Sequence, residues 1–242
     1  MPILLFNNLT ETDKSEAVKK LIGDSAPRQE FFLMVLLSIL MATFGIIINN
    51  ITVVIGSMLI APMLYPIMGL ALGVVMSDSK LITRSLATLA KSIIIGLVAA
   101  ALVGIFTDPI LGYGEQDIIK SAQPSLAYAA IAIIAGLAAS FALVNPKLNE
   151  SLPGIAISVA LIPPLAITGI GFARFDWNII SQAFTLFLIN IIGITFASVI
   201  IFSLMNLYVK RNIANRAIDR EDKEMAKEVK KIEKEKKKSQ RS

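Results

Sequence analysis

The sequence contains no cysteine and no histidine. Without cysteine the chain has no disulfide framework, no thiol nucleophile and no thiolate metal site. Without histidine it lacks the usual zinc ligand and the side chain best suited to proton transfer near neutral pH. Because these absences exclude several large classes of enzyme, we expect a protein without enzymatic activity, resident metal or cofactor.

Charged residues are also scarce. They make up 17% of the chain, against 55% hydrophobic residues and a mean hydropathy of +0.70, whereas soluble domains typically carry about 25% charge. The apolar residues occur in runs of the length that a helix needs to cross about 30 Å of hydrocarbon. The sequence therefore predicts a multi-pass protein of the cell membrane, with the lipid bilayer as its first partner.

Two of the apolar runs contain prolines near their centres. The first run holds Pro62 and Pro66, and the second holds Pro163 and Pro164. Proline removes a backbone donor and clashes with the preceding turn, and lipid offers no water to the carbonyl that is freed. We therefore expect two broken helices whose freed carbonyls and half-helix ends form a binding site. The alternative is a kink that merely helps the helices to pack.

The two proline-containing runs also match each other. With an offset of 102 residues, Pro62 falls on Pro164 and Gly69 falls on Gly171. Paired, interrupted segments in corresponding positions are typical of transporters built from internal repeats. The prediction is an all-α membrane protein of about six transmembrane helices, arranged as two inverted three-helix repeats, each with a proline-broken second helix. The rival interpretation has four true spans and two re-entrant hairpins.

The predicted division of the chain has three parts. They are a cytoplasmic N-terminal segment over 1–30, a transmembrane domain over 31–206 with repeats over about 31–106 and 126–206, and a charged cytoplasmic helix or tail over 207–242. Both termini are predicted to be cytoplasmic, because short cytoplasmic segments collect Lys and Arg. The predicted outer loops contain only Lys120 and Arg174.

The polar N-terminal and C-terminal segments each contain a pattern that predicts local structure. Thr10 followed by Asp13 predicts a capping box, and an apolar face after it predicts an amphipathic helix, formed by Ala17, Val18, Leu21 and Ile22. A partly ordered leader is the alternative, and we expect neither a cleaved signal nor a separate regulatory domain there. The C-terminal part holds 13 Lys/Arg against 7 Asp/Glu. It is expected to be a solvated helix or to contact anionic lipid, and no signal for nucleic-acid binding is present.

Polar residues beside the prolines are the candidate ligands for a substrate or ion. Together with the prolines, the predicted set is Asn49, Asn50, Ser57, Pro62, Pro66, Asn149, Glu150, Ser158, Pro163 and Pro164. Helix capping is the alternative for the two adjacent asparagines. Glu150 is expected either to carry a proton or to pair with a nearby lysine.

A second set is predicted to act in charge pairing or gating, namely Asp78, Lys80, Arg84 and Lys147. We expect the aspartate to pair with Lys80 or Arg84, because a helix C-terminus disfavours a carboxylate. Polar residues of the last span are expected to form interhelical hydrogen bonds; they are Asn190, Thr195, Ser198 and Asn206.

Two segments resemble a known family. GSMLIAPMLYPIMGLALG followed by Asp78, together with LPGIAISVALIPPLAITGIGFA, is similar to the prokaryotic integral membrane proteins of domain-of-unknown-function family 389. The resemblance covers roughly residues 31–206. It implies a multi-span hydrophobic protein and brings no substrate or activity with it.

The predicted function is secondary transport of a small solute or ion at a site between two discontinuous helices. Because about 175 membrane residues make a thin-walled protomer, we expect a homo-oligomer. The alternatives are an oligomeric ion channel and a structural membrane protein that transports nothing.

Overall fold

The computed structural model describes residues 10–111, 123–145, 148 and 151–239. Three predicted site residues, Lys147, Asn149 and Glu150, lie outside these residues. Every regular element in the described part is helical. The helices are α1 Glu11–Asp24, α2 Gln29–Ile47, α3 Ile51–Ile60, α4 Leu64–Met76, α5 Ser79–Leu111, α6 Leu126–Val144, α7 Ser151–Arg174, α8 Trp177–Leu204 and α9 Arg211–Ser239, with a short 3₁₀ turn, Leu207–Lys210, before the last.

Four of these helices, α2, α5, α6 and α8, are long and apolar enough to cross a membrane. The bent pair of α3 and α4 gives a fifth span if its halves count as one. In α7 the described apolar part is Ala160–Arg174, which is shorter than a full span. The structure therefore supports four or five spans, and the six-span inverted repeat stays a prediction.

The first proline-containing run is interrupted at Pro62. Helix α3 ends at Ile60, Ala61 is extended with ψ of 118°, and the two halves are bent by 52°. Pro66 lies in the first turn of α4, where a backbone N–H has no partner within the helix in any case. Only the first of the two prolines therefore coincides with the break.

The second run is different, and the prediction of a broken helix there is wrong. Helix α7 continues through Pro163 and Pro164. These prolines remove two donors from the helical ladder. One of the carbonyls that lose a donor, that of Ala160, accepts a hydrogen bond from Asn190 Nδ2 at 2.6 Å. Helix α8 thus supplies a hydrogen-bond donor in place of the backbone N–H that Pro164 lacks.

Three corners between successive helices are built alike. In each, a glycine carbonyl accepts a hydrogen bond from the backbone N–H of an Asn or Asp five residues later, and the residue before that Asn or Asp has φ between 50° and 55°. The donor–acceptor pairs are Asn50 to Gly45 at 2.8 Å, Asp78 to Gly73 at 2.9 Å and Asp176 to Gly171 at 3.1 Å. The common geometry makes these corners reliable markers for comparing the two halves.

The corners correct the register of the predicted repeat. The corner glycine that follows the first bent run is Gly73, and the one that follows α7 is Gly171, which is an offset of 98 residues rather than 102. Pro66 and Pro164 each precede their corner glycine by seven residues. The proline at the break, Pro62, therefore corresponds to Ala160 rather than to a proline.

Helices α1 and α9 form a layer over one end of the helical bundle. Helix α1 begins with the predicted capping box, in which Thr10 and Asp13 exchange hydrogen bonds, and its predicted apolar face is buried. Helix α9 buries Ala214 and Ile218. Ion pairs from α9 reach Arg28 and Lys80, so the layer lies where α2 and α5 begin.

Candidate functional site

Side chains from neighbouring helices meet backbone carbonyls near the proline positions of both runs. The Ser38 hydroxyl donates to the carbonyl of Ser57, one of the last four carbonyls of α3, at 2.8 Å. The Ser158 hydroxyl donates to the carbonyl of Ala61, inside the break, at 3.0 Å. Because a carbonyl without a donor is costly inside a membrane, these contacts stabilise the broken backbone.

The predicted ligands Ser57 and Ser158 are thus part of this backbone support. Both side chains are buried. The hydroxyl of Ser57 donates to the carbonyl of Val54 at 2.6 Å. The structure places Ser158 beside the first break, so α7 and the α3–α4 junction do meet, as the predicted site between the two runs requires.

Asn190 is the third side chain of this kind, and it forms the interhelical hydrogen bond expected of it, to the carbonyl of Ala160. Its Oδ1 atom is buried without a partner in the described structure. Ser198, by contrast, donates to a carbonyl of its own helix, that of Ile194, at 2.7 Å. The prediction therefore holds for the first residue and is wrong for the second.

Asn49, Asn50 and Asp78 belong to the helix corners. Asn50 caps α3, with Oδ1 accepting from the backbone N–H groups of Thr52 and Val53. Asn49 provides the left-handed residue of the same corner, with φ of 52°. These roles agree with the capping alternative, and they leave the two asparagines at the end of α3 that is remote from the break.

Asp78 does not pair as expected. It precedes the first residue of α5, and its Oδ1 accepts from the backbone N–H of Leu81 at 3.0 Å. A carboxylate at a helix N-terminus is favoured by the helix dipole. The expectation of a pair with Lys80 or Arg84 is wrong, because the residue caps the following helix.

A cavity of about 560 Å³ lies between α1, the start of α2 and the helix break. Pro62 and Tyr65 from the break and Met34 from α2 form part of its wall. The charged residues around it are of both signs: Lys20, Asp24, Arg28, Glu30 and Glu221. The half-buried side of Pro62 therefore faces a cavity with charged walls, while Ser158 covers the break from the protein interior.

Lys80 and Arg84 pair with α9 instead of with Asp78. Lys80 Nζ lies 2.7 Å from Asp219 and 3.2 Å from Asp222. Arg84 Nη1 lies 3.2 Å from Asp222. No local pattern in the sequence identifies these partners, because they lie 138 and 139 residues away along the chain.

Arg28 was also missed as a site residue. Its Nη2 lies 2.8 Å from Glu221 Oε2, at the wall of the cavity. This hydrogen bond to Glu221 raises the pKa of the Arg28 guanidinium above its ordinary value. The side chain is therefore a permanent cation, and its pair with Glu221 fixes α9 to the start of α2.

The pKa of the Asp219 carboxyl is lowered from its ordinary value of 3.8, chiefly by the hydrogen bond that it accepts from Lys80. A carboxyl whose pKa is lowered on folding contributes stability above the unfolded pKa, and the contribution is lost as the pH falls through the folded pKa. The contact between α9 and Lys80 is therefore complete at neutral pH and weakens only below about pH 4.

In the residues that the structure describes, the fold and this site define a membrane-like helical protein with four or five helices long and apolar enough to cross a bilayer, one of them bent at a proline. The chain belongs to the family described as a domain of unknown function (DUF389), whose sequence profile matches residues 58–196. No solved structure is significantly similar.

One relative is an uncharacterised protein of Methanocaldococcus jannaschii, 28% identical over 214 residues, which are 84% of this chain and 65% of the relative. The chain thus spans slightly less than two thirds of that protein. The family range contains the helix break, Lys80, Arg84 and Asn190, whereas α1 and α9 lie outside it.

Proposed function

We propose that the protein is a secondary transporter of a small polar solute or ion, which reaches the Pro62 break through the cavity beside Arg28. The supporting observation is the cavity itself, which extends from the charged layer to Pro62 and Tyr65. A polar solute needs a polar route to a break in the helical backbone, and irregular backbone at membrane depth is tolerated where it lines a cavity or is covered by protein.

The charges of the cavity wall bear on the class of solute. Two cations and three carboxylates surround the space, so the wall presents no strong field of one sign. We propose a substrate that is zwitterionic or a small ion accompanied by a counter-charge. The layer of α1 and α9 lies on the cytoplasmic side in this proposal, because it is rich in Lys and Arg.

Uptake into vesicles tests the proposal. The purified protein is reconstituted into liposomes, and currents or tracer uptake are recorded for amino acids, organic acids, inorganic anions and Na⁺. Saturable uptake of at least one solute is expected. Flux that rises linearly without saturation indicates a channel, and no flux for any solute contradicts transport.

A matched pair of variants connects the flux to the cavity. Met34→Trp fills part of the cavity, since Met34 lies on its wall. Leu37→Trp adds the same side chain less than one turn further along α2, at a residue that is 46% exposed on the outside of the bundle. Reduced flux in the first variant alone is expected; equal flux in both argues that the solute follows another route.

A purely structural role is the second candidate, and a specific observation favours it. Carbonyls at both proline positions already have hydrogen-bond donors from the protein, namely Ser158 and Asn190. A break whose carbonyl already has a donor from the protein does not need a solute to supply one. Absence of flux together with a well-folded, stable protein would support this candidate.

A further inference from the structure

The cations that hold α9 belong to the start of the membrane helices. Arg28 immediately precedes α2, and Lys80 and Arg84 lie one turn apart in the first two turns of α5. Three carboxylates of α9 pair with them, those of Asp219, Glu221 and Asp222, at distances between 2.7 and 3.2 Å. Three cations from two elements thus face one acidic side of a third.

Arg84 is only partly satisfied by this arrangement. Its side chain is 9% exposed, and one nitrogen, Nη1, contacts Asp222. Nε and Nη2 are buried and have no partner in the described structure. An arginine presents five N–H donors, and buried donors without acceptors are costly. The site therefore has room in its hydrogen bonding for an anion with more acceptor oxygens than one carboxylate.

Asp222 shows the shape of such an anion. One of its oxygens contacts Arg84 Nη1 and the other contacts Lys80 Nζ, each at 3.2 Å. A phosphate group offers the same bridge with additional oxygens, and it binds arginine in a bidentate manner. It could meet donors of Arg84 that the single carboxylate leaves unused.

We propose that Arg28, Lys80 and Arg84 form a phosphate-binding site that the carboxylates of α9 occupy in this structure, and that phosphate binding releases α9. Glu221 and Arg28 both line the cavity at Pro62, so release of α9 widens access to that cavity. This last consequence rests on the proposed transport function. The phosphate belongs either to an anionic lipid headgroup or to a soluble anion.

A cysteine reporter measures the release. Because the sequence has no cysteine, Ala214→Cys gives a single thiol on the buried side of α9, at a residue that is 0% exposed. The rate of labelling by a water-soluble maleimide is measured in phosphatidylcholine vesicles, in vesicles that also contain phosphatidylglycerol, and in phosphatidylcholine vesicles with inorganic phosphate. Ile39→Cys, which is buried in the bundle, controls for general unfolding.

The three conditions distinguish the sources of the phosphate. Labelling that increases several-fold only with phosphatidylglycerol identifies a lipid headgroup, and an increase with inorganic phosphate identifies a soluble anion. An unchanged rate in both conditions overturns the proposal. An equal increase at the Ile39→Cys control also overturns it, because the change would then be unfolding.

Two variants separate phosphate binding from the ion pairs that attach α9. Arg84→Lys removes the unused guanidinium donors, so the increase in labelling rate on adding phosphate, measured relative to the basal rate of the same variant, should fall. Asp222→Asn weakens the contact from the α9 side and should raise the basal rate. Lys210→Gln, which removes the separate pair with Glu11, should keep the response to phosphate. A full response in Arg84→Lys contradicts the assignment of this residue.

The labelling experiment does not depend on transport. Phosphate-dependent labelling without any flux would refute the proposed transporter and leave the phosphate site intact. Saturable flux with labelling that ignores phosphate would refute the site and leave the transporter intact.

Discussion

The α3–α4 run has Pro62 and Pro66 near its centre and α7 has Pro163 and Pro164, yet the first run is bent by 52° and the second continues as one helix. Both lead into the same kind of corner, at Gly73 and Gly171. The two runs differ in where their prolines lie relative to the corner glycine and in which side chain donates a hydrogen bond to the backbone carbonyl. Pro62 has no proline counterpart in α7, whereas Pro66 and Pro164 correspond and both lie within a helix.

This difference shows that proline alone does not determine a break in a membrane helix. In α7 the freed carbonyl of Ala160 receives a donor from Asn190 without leaving the helical path. At the first run the chain becomes extended at Ala61, and Ser158 donates to its carbonyl there. In both runs a side chain of another helix donates to a backbone carbonyl, so the break is associated with Pro62, which has no proline counterpart in α7.

The largest loss of stability is expected from substitutions at the corner glycines, which the two runs share. A β-carbon added at Gly73 would lie 2.8 Å from Ile82 Cγ1, and one added at Gly171 would lie 2.9 Å from Ile180 Cγ1. Gly73→Val and Gly171→Val should each lower the free energy of unfolding by about 1–3 kcal/mol, the usual cost of overpacking. Denaturation in SDS, followed by circular dichroism, measures this.

The control for these variants is Gly193→Ala, where the nearest contact of the new carbon is 3.3 Å from Ala132 Cβ. It should cost clearly less. If one corner variant is severely destabilised and the other is not, the corners are not equivalent and the corrected register loses its support.

The caps of the same corners should give the next largest effect. Asp78 and Asp176 each accept a hydrogen bond from the first turn of the following helix. Asp78→Ala and Asp176→Ala should each destabilise the protein by about 1 kcal/mol, the typical value for an N-cap. Similar losses in the same denaturation assay are expected, and a neutral Asp78→Ala would mean that its buried carboxylate serves some other purpose.

A smaller loss of stability should distinguish α7 from the α3–α4 run. Asn190→Ala removes the donor to Ala160 and should cost about 0.6 kcal/mol, the mean for such hydrogen bonds in membranes. In the Pro164→Ala background the backbone N–H returns to Ala160, so the same change should then cost less. A double-mutant cycle measures this coupling. Strict additivity would contradict the role of Asn190 as a replacement donor.

The smallest effect is predicted for pH. The lowered pKa of Asp219 means that its contribution is present above 3.8 and declines only at lower pH. The contribution of the Asp219–Lys80 pair to the attachment of α9 should therefore be constant from about pH 7 to about pH 5. The mobility of a nitroxide attached to Ala214→Cys reports this directly, and a transition within that range would require another titrating group.

Local features of the fold were predictable from the sequence. The capping box at Thr10, the cap at Asn50 and the interruption at Pro62 each depend on residues within a few positions of one another. The apolar runs of α2, α5, α6 and α8 are long enough to cross a bilayer. At these positions the residues that cause each structural feature lie within the local sequence pattern itself.

The remaining features depend on contacts between distant residues. Whether Pro164 breaks α7 depends on Asn190 in another helix, and the partners of Lys80 lie 139 residues away in α9. The register of the repeat failed for a related reason. Apolar residues match one another by chance in membrane segments, whereas the corner geometry that identifies Gly73 with Gly171 appears only after folding.

The most direct test of the account compares access of water to the two runs. Tyr65→Cys lies on the cavity wall beside the break, and Ile162→Cys is 0% exposed beside Pro163. With a water-soluble maleimide we expect rapid labelling of the first and little labelling of the second. Equal labelling of both, or labelling of Ile162→Cys alone, would contradict the claim that the Pro62 break, and not the continuous α7, faces the cavity.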